Sequence, residues 1–255
     1  MRNNQPVTQK EYRFPASYRL ISGTDSRGNI TYCNDAFAEV SGYSREQLIG
    51  QPHNMIRHPD MPAPVFKEMW ATIASGNVWM GLVKNRRKNG DHYWVSAFVT
   101  PVYQGNSIVG YESVRVAAQM DEISRAEHAY QRINANKAAV AGFVSLRHAV
   151  STAAPVVVPG LLASAGVGYL STLTTAALVL AATLVSTGWV ILKRRSEWQS
   201  LLDISPGSYS DITVAQTYFA DNASLARAKL ALACEIARSR TALTRIEDAA
   251  MALDN

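Results

Sequence analysis

The sequence predicts an α+β domain on an antiparallel sheet, then an apolar helical hairpin and a polar helical region. Three observations carry this. Strand-like segments bracket a run of short helices within residues 18–117, and such segregation indicates α+β architecture. Asn89-Gly90 is the strongest short hairpin signal in the chain. The 45 residues between Arg147 and Lys193 contain no Asp, Glu, Lys or Arg.

Leu20 to Asp25 reads as a strand, Ser26-Arg27-Gly28-Asn29 as a turn, and Ile30 to Asn34 as a second strand. Asp35 is placed to cap a helix through Phe37 and Val40. Ser44 and Gln47 form a capping-box pattern for a second short helix. Residues 52–64 form a proline-interrupted loop. Phe66, Met69, Trp70 and Ile73 give residues 65–74 an amphipathic helical face. Strands follow at 79–85, 92–102 and 107–116. The short helices are expected to cover one sheet face and leave a pocket between.

The chain has 255 residues and a net charge of +5. Its two cysteines, Cys33 and Cys234, have no metal-ligand spacing, which excludes a disulfide framework and a structural zinc site and suits the cytoplasm. The first 15 residues lack the apolar run of a signal peptide. There is no GxSxG, P-loop or GxGxxG motif, so no enzyme is expected. The basic residues at Lys193-Arg194-Arg195 read as the flank of a membrane span, not as a nucleic-acid surface.

As one helix the uncharged stretch would run about 68 Å, more than twice the hydrocarbon core. Two spans fit better, near Ala153–Tyr169 and Thr174–Leu192, turning at Ser171, Thr172, Thr174 and Thr175. Pro155 and Pro159 are expected near the first entry point, and Trp189 near the exit. Arg147 and Lys193–Arg195 place both flanks in the cytoplasm. The alternative is a buried hairpin in a soluble protein.

Gly23-Thr24-Asp25, Ile30-Thr31-Tyr32, Asn34-Asp35, Val40-Ser41-Gly42-Tyr43, the run from Gly50 through Pro52 to Pro62, Met69-Trp70, Trp79, the run from Val83 to Trp94, and Gly110-Tyr111 carry a family resemblance. Together with the element order, they resemble the PAS domain of bacterial aerotaxis receptors over roughly residues 18–117. The segments 52–62 and 84–94 are the specific ones. The resemblance implies a five-stranded PAS sheet, FAD bound without a covalent link, and use of its redox state to report respiratory electron flow. It also implies the bacterial inner membrane, with the PAS domain and the C-terminal region both cytoplasmic.

A flavin needs an apolar slot, polar groups along the ring edge and cations for phosphate. The candidates are Trp70 and Trp79 for stacking, with core packing as their alternative. Trp94 reads as structural. Arg57 is the candidate phosphate fork, with Asp60 orienting His58 or Arg57. Asn34 and Asn85 are candidates for the ring edge, Asn34 alternatively a helix cap. The segment 50–57 has no cysteine, so a light-driven cysteinyl adduct is not available. His53, His58 and His92 keep heme or another small ligand as an alternative cofactor reading; a PAS scaffold that only dimerises is another.

Met120, Ile123, Tyr130 and Ile133 predict a linker helix within 118–147. After the hairpin (148–192), a short helix is expected at 193–202, broken at Ser205-Pro206-Gly207-Ser208. Leu225, Leu232, Ile246 and Leu253, with Ile236, Leu243 and Ala250, then form a heptad-like stripe. This stripe fits one amphipathic helix lying on another domain, or a parallel pair in a homodimer. Residues 193–255 resemble a HAMP signal-conversion region, though without its usual early proline. Aerotaxis receptors continue into a kinase-docking hairpin. The chain ends at Asn255, where that hairpin would begin, so it reads as a fragment or as a subunit passing output to a partner receptor that acts on a histidine kinase.

Overall fold

The computed structural model describes residues 4–140, 142–170, 172–205 and 207–253; side chains at 142–145, 148–149 and 244–253 are outside the described set. β1 (Leu20–Asp25) and β2 (Ile30–Cys33) form a hairpin. The Asp25 carboxylate fixes its turn by accepting the backbone N–H groups of Arg27 and Asn29 at 2.9 and 2.8 Å. Short helices follow: α1 (Asp35–Ser41), α2 (Arg45–Leu48), a single 3-10 turn at His53–Ile56, and α3 (Ala63–Ala74). β3 (Trp79–Arg86), β4 (His92–Gln104) and β5 (Ser107–Ala117) complete an antiparallel sheet in the order β2-β1-β5-β4-β3. The Ser44–Gln47 capping box forms at α2.

The cap of α1 lies one residue before the expected Asp35. Asn34 Oδ1 accepts from Phe37 N at 3.0 Å and from Ile21 N at 3.1 Å. Its Nδ2 donates to the Arg19 carbonyl at 2.7 Å. Asn34 therefore ties α1 to β1, and Asp35 is the first helical residue.

Both sheet faces are covered, where the sequence suggested one. The inner face of β4 carries Tyr93, Val95, Ala97 and Val99. The outer face carries Trp94, Ser96 and Phe98, the two apolar ones also buried. α4 (Met120–Asn134) closes the outer face: Tyr130 stacks with Trp94 at 6.2 Å, and its hydroxyl donates to the Leu82 carbonyl at 2.7 Å. α7 (Ile212–Tyr218) joins it through a Tyr218–Ser96 hydroxyl contact of 2.7 Å.

The N-terminal segment, expected as a tail before residue 18, is strapped along the domain. Thr8 N donates to Gly90 O and Tyr12 N to His92 O. Asn4 Nδ2 donates to the carbonyls of Asn54 and Arg57, both at 2.8 Å. Beside this strap, buried His58 and His92 pack edge to face at 5.7 Å. Asp60 bonds Lys84 at 2.8 Å. Burial and the Lys84 ammonium push His58 down to about 4, and burial lowers His92 likewise.

α5 (Gly142–Leu170) and α6 (Leu173–Ile204) form the hairpin. Both are long and apolar enough to span a membrane, and the apolar windows are 0% and 6% buried. A soluble core hairpin would be covered instead. Gly160 abuts Thr183, and Ser164 Oγ donates to the Ala176 carbonyl at 2.8 Å, so small residues set the close approach. Pro155 and Pro159 lie inside α5, within the first ten residues of its apolar segment Val150–Leu170. At the turn Thr172 caps α6 through Thr175, and Ser171 is outside the described residues. α6 runs unbroken to Ile204, so the separate helix expected at 193–202 is its continuation.

α8 (Ala223–Leu253) buries Ala226, Leu230 and Cys234. The heptad positions Leu232, Ile236 and Leu243 are instead 63, 45 and 60% exposed. Ile246, Ala250 and Leu253 fall outside the described side chains. Two apolar stripes share this helix, and the chain itself covers only one.

Asn34→Ala should destabilise the domain by about 1–2 kcal/mol in denaturant unfolding, with ligand affinity of the refolded protein unchanged. The histidine pair adds a pH dependence. Folded His58 has a lowered pKa, so the unfolded chain binds its proton first as pH falls. The contribution is full above about 6.5 and falls away toward about 4. The melting temperature should drop across that window, and His58→Gln should flatten the slope. An unchanged slope would exclude this origin.

Candidate functional site

A cavity of about 200 Å³ lies between the inner sheet face and the short helices. Strand periodicity builds its wall. Tyr111, Ser113 and Arg115 alternate inward from β5, Ala97 and Val99 from β4, and Trp79, Val83 and Asn85 from β3. Gly81 pairs with Ala97 across β3 and β4, so no long side chain rises there. A Cβ on Gly81 would collide with the Trp79 ring. α3 supplies Phe66, Met69, Trp70 and Ile73, and the 3-10 turn supplies His53 and Asn54.

Aromatic geometry shapes one side. Trp70 meets Tyr111 edge to face at 5.5 Å, and its ring packs on Gly28, where a Cβ would come within 2.9 Å. Gly28 also has a left-handed φ of 84°, so glycine is required twice over. Trp79 is fully buried, and its Nε1 donates to Glu68 Oε2 at 2.7 Å. The same carboxylate oxygen accepts from Tyr209 Oη at 2.9 Å. Tyr209 lies in the connector between α6 and α7, so one carboxylate links the cavity wall to the C-terminal region.

The electrostatics are unusual. Arg115 is 5% exposed. It donates to Ser22 Oγ at 3.0 Å and lies 2.7 Å from His53 Nε2. Burial pushes its guanidinium down to about 10. Arg57 sits over the Phe66 ring at 3.3 Å and is likewise lowered to about 10 by burial. Burial, then Arg115 and Arg57, hold His53 well below its ordinary range, so it is neutral and its Nε2 accepts from Arg115. Among the described residues no carboxylate lines the cavity. An uncompensated buried charge costs several kcal/mol.

Three further polar atoms of this wall are buried without a hydrogen-bond partner: Asn54 Oδ1, Asn85 Nδ2 and Ser113 Oγ. Each unmet group costs about 1–3 kcal/mol. The cavity thus offers an acceptor, a donor, a hydroxyl and three arginines, exposed Arg27 among them, around an apolar slot. That set matches a flat heteroaromatic ligand carrying carbonyl and N–H edges and negative charge.

Of the residues singled out from sequence, Arg57, Trp70, Trp79 and Asn85 come together here. Asn34, His58 and Asp60 do not. Asn34 is committed to backbone, and His58 and Asp60 turn away from Arg57 toward Lys84 and His92. Trp94 lies on the outer face. Neither Cys33 nor Cys234 lines the cavity. Arg115, Asn54, Ser113 and Arg27, the last exposed beside Gly28, were not anticipated, and His53 was singled out only for the alternative heme reading. Period-2 spacing of Tyr111, Ser113 and Arg115 was the available signal. It was masked because Val114 and Val116 make the opposite face of β5 look like the core side.

A family profile described as PAS fold matches residues 30–115. The chain is 47% identical over 137 residues to the aerotaxis receptor of Escherichia coli K12, covering 54% of this chain and 27% of that protein. It is 39% identical over 82 residues to a nitrogen fixation regulatory protein of Klebsiella pneumoniae, covering 32% of this chain and 17% of that one. The PAS domain of a Colwellia psychrerythraea protein aligns at 29% identity and TM-score 0.37, covering 39% of this chain and 86% of that structure. The chain therefore spans about a quarter of the receptor's length. Its N-terminal domain is a PAS domain, carried by a chain homologous over about half its length to an aerotaxis receptor.

Proposed function

We propose that this protein is a membrane-anchored redox sensor for aerotaxis-type signal transduction, with FAD held non-covalently in the PAS cavity. The observation that carries the reading is the cavity's set of unmet groups: buried Arg115 and half-buried Arg57 with no carboxylate on the wall among the described residues, and three orphaned polar atoms. The volume of about 200 Å³ is below the roughly 300–1,000 Å³ of whole-ligand pockets. It suits the ring system, with the dinucleotide's remainder leaving by the mouth, where Arg27 and Arg57 would hold phosphate. Bound flavin supplies a reversible electron acceptor whose charge and protonation change with redox state.

The chain's own residues give that change a route outward. Arg57 and Arg115 favour negative charge in the cavity, and neutral His53 fixes Arg115 in place. Asn85 offers its Nδ2 donor. Trp79 is held by Glu68, which also holds Tyr209. A shift of Trp79 would bias the packing of the 205–218 segment on the domain, a population shift between two arrangements. The heme reading is weakened because, among the described residues, His53 alone of the histidines lines the cavity, and its Nε2 is committed to Arg115. An empty scaffold would leave the orphaned groups unexplained.

The anchoring reading rests on α5 and α6, whose basic flanks, Arg147 and Lys193–Arg195, fall at the same end of an antiparallel hairpin. It places the PAS and C-terminal regions in the cytoplasm at the bacterial inner membrane. The exposed Leu232, Ile236 and Leu243 stripe supports a homodimer. Output would pass to a chemoreceptor signalling domain or partner receptor that acts on a histidine kinase.

The purified chain in mild detergent should be yellow, bleach with dithionite and release FAD on acid treatment. A heme Soret band, or failure to take up added FAD, would sink the reading. Arg57→Gln should weaken FAD binding by about tenfold to a hundredfold, the worth of a charge-assisted contact. Glu68→Gln should keep FAD while reducing the redox-dependent change in protease sensitivity of residues 205–222. An unaltered change would remove Glu68 from the route.

A further inference from the structure

A second, larger cavity of about 800 Å³ lies where the hairpin meets the rest of the protein. Arg147, Arg194, Arg195 and Trp198 from the hairpin ends line it, with Arg132 from α4. Arg132 Nε donates to the Ala138 carbonyl. None of these four arginines has a carboxylate within ion-pair distance among the described residues. Arg125, also on the wall, is engaged by Asp121 and the carbonyls of Thr217 and Tyr218. Asp221, the one acid on the wall among the described residues, is held by Lys229 at 2.6 Å.

The start of α8 closes the same space. Asn222 caps it by accepting from Leu225 N at 3.0 Å, and Ala223 and Ser224 line the cavity. Amides of a first helical turn lack helical partners and carry the positive end of the dipole. Depth is defined by the hairpin. From Thr172 at the turn to Arg194 is 22 residues of helix, about 33 Å, close to the hydrocarbon thickness. Arg194 thus falls at headgroup level, with exposed Ile191 and Leu192 just inside the apolar layer.

We propose that this cleft binds the phosphate of an anionic phospholipid, its arginines and the α8 start on the headgroup and its acyl chains along α6. The inference rests on the membrane reading above. It ties the start of α8, α4 and the hairpin ends to a single lipid.

The test is native mass spectrometry of the full chain in mild detergent with equimolar dioleoylphosphatidylglycerol and dioleoylphosphatidylcholine. The phosphatidylglycerol should be retained preferentially. Arg194→Gln and Arg132→Gln should each lower its retention about fivefold. Arg132 lies outside the hairpin, so its loss leaves insertion intact. Lys193→Gln, which removes an equal charge outside the cleft, should change nothing. Equal retention of both lipids overturns the proposal, as does an equal effect of Lys193→Gln. So does displacement of the lipid by millimolar inorganic phosphate, which would mark a free-anion site. Carbonate extraction separates the two readings: a chain that washes off membranes refutes the anchor, whereas an integral chain without lipid preference refutes only this site.

Discussion

Arg115 is held where β5, β1 and the 3-10 turn converge, and the cavity is organised around it. Its guanidinium reaches Ser22 on one side and His53 on the other, with no carboxylate on the cavity wall among the described residues. That arrangement fixes the state of its neighbours. His53 must be neutral to accept, and the face bearing Ser113 and Tyr111 must turn inward with Arg115. A fold holding a charge this way is poised for an anionic or strongly polar ligand, because only such a ligand recovers the desolvation cost.

The same sheet that carries Arg115 inward carries a second contact surface outward. Trp94, Ser96 and Phe98 are covered by α4 and α7, so the C-terminal region and the cavity are separated by one layer of strands. Glu68 bypasses that layer at the β3 edge, joining Trp79 to Tyr209. Burial and the Glu68 charge push the Tyr209 hydroxyl upward, so it remains a donor. Cavity, connector and helices are thereby coupled through hydrogen bonds of ordinary length.

Much of this was legible in the residues. Asn89-Gly90, the Ser44–Gln47 box and the alternation of β4 set element order and turns without any tertiary information. The uncharged stretch between Arg147 and Lys193 gave the hairpin. What the residues hid was tertiary. The tetrapeptide Arg57-His58-Pro59-Asp60 reads as one cluster, yet its side chains divide between cavity and strap because Lys84 and His92 draw Asp60 and His58 away. Asn34 has a side chain suited to a ligand or to a cap, and only the nearness of Ile21 N decides for the cap. Nothing in the sequence around Arg115 marks it, because its role comes from Ser22 and His53, which lie far away along the chain. The heptad stripe of α8 was visible, but that its own chain packs the other face was not.

In the proposed function, flavin completes the buried guanidinium of Arg115. The most direct measurement is the shift in melting temperature on adding FAD to flavin-stripped protein, for the wild type and for Arg115→Met. The expected result is a clear upward shift in the wild type, none in the variant, and an apo variant no less stable than the apo wild type. An Arg115→Met protein that takes up FAD with an undiminished shift would contradict it.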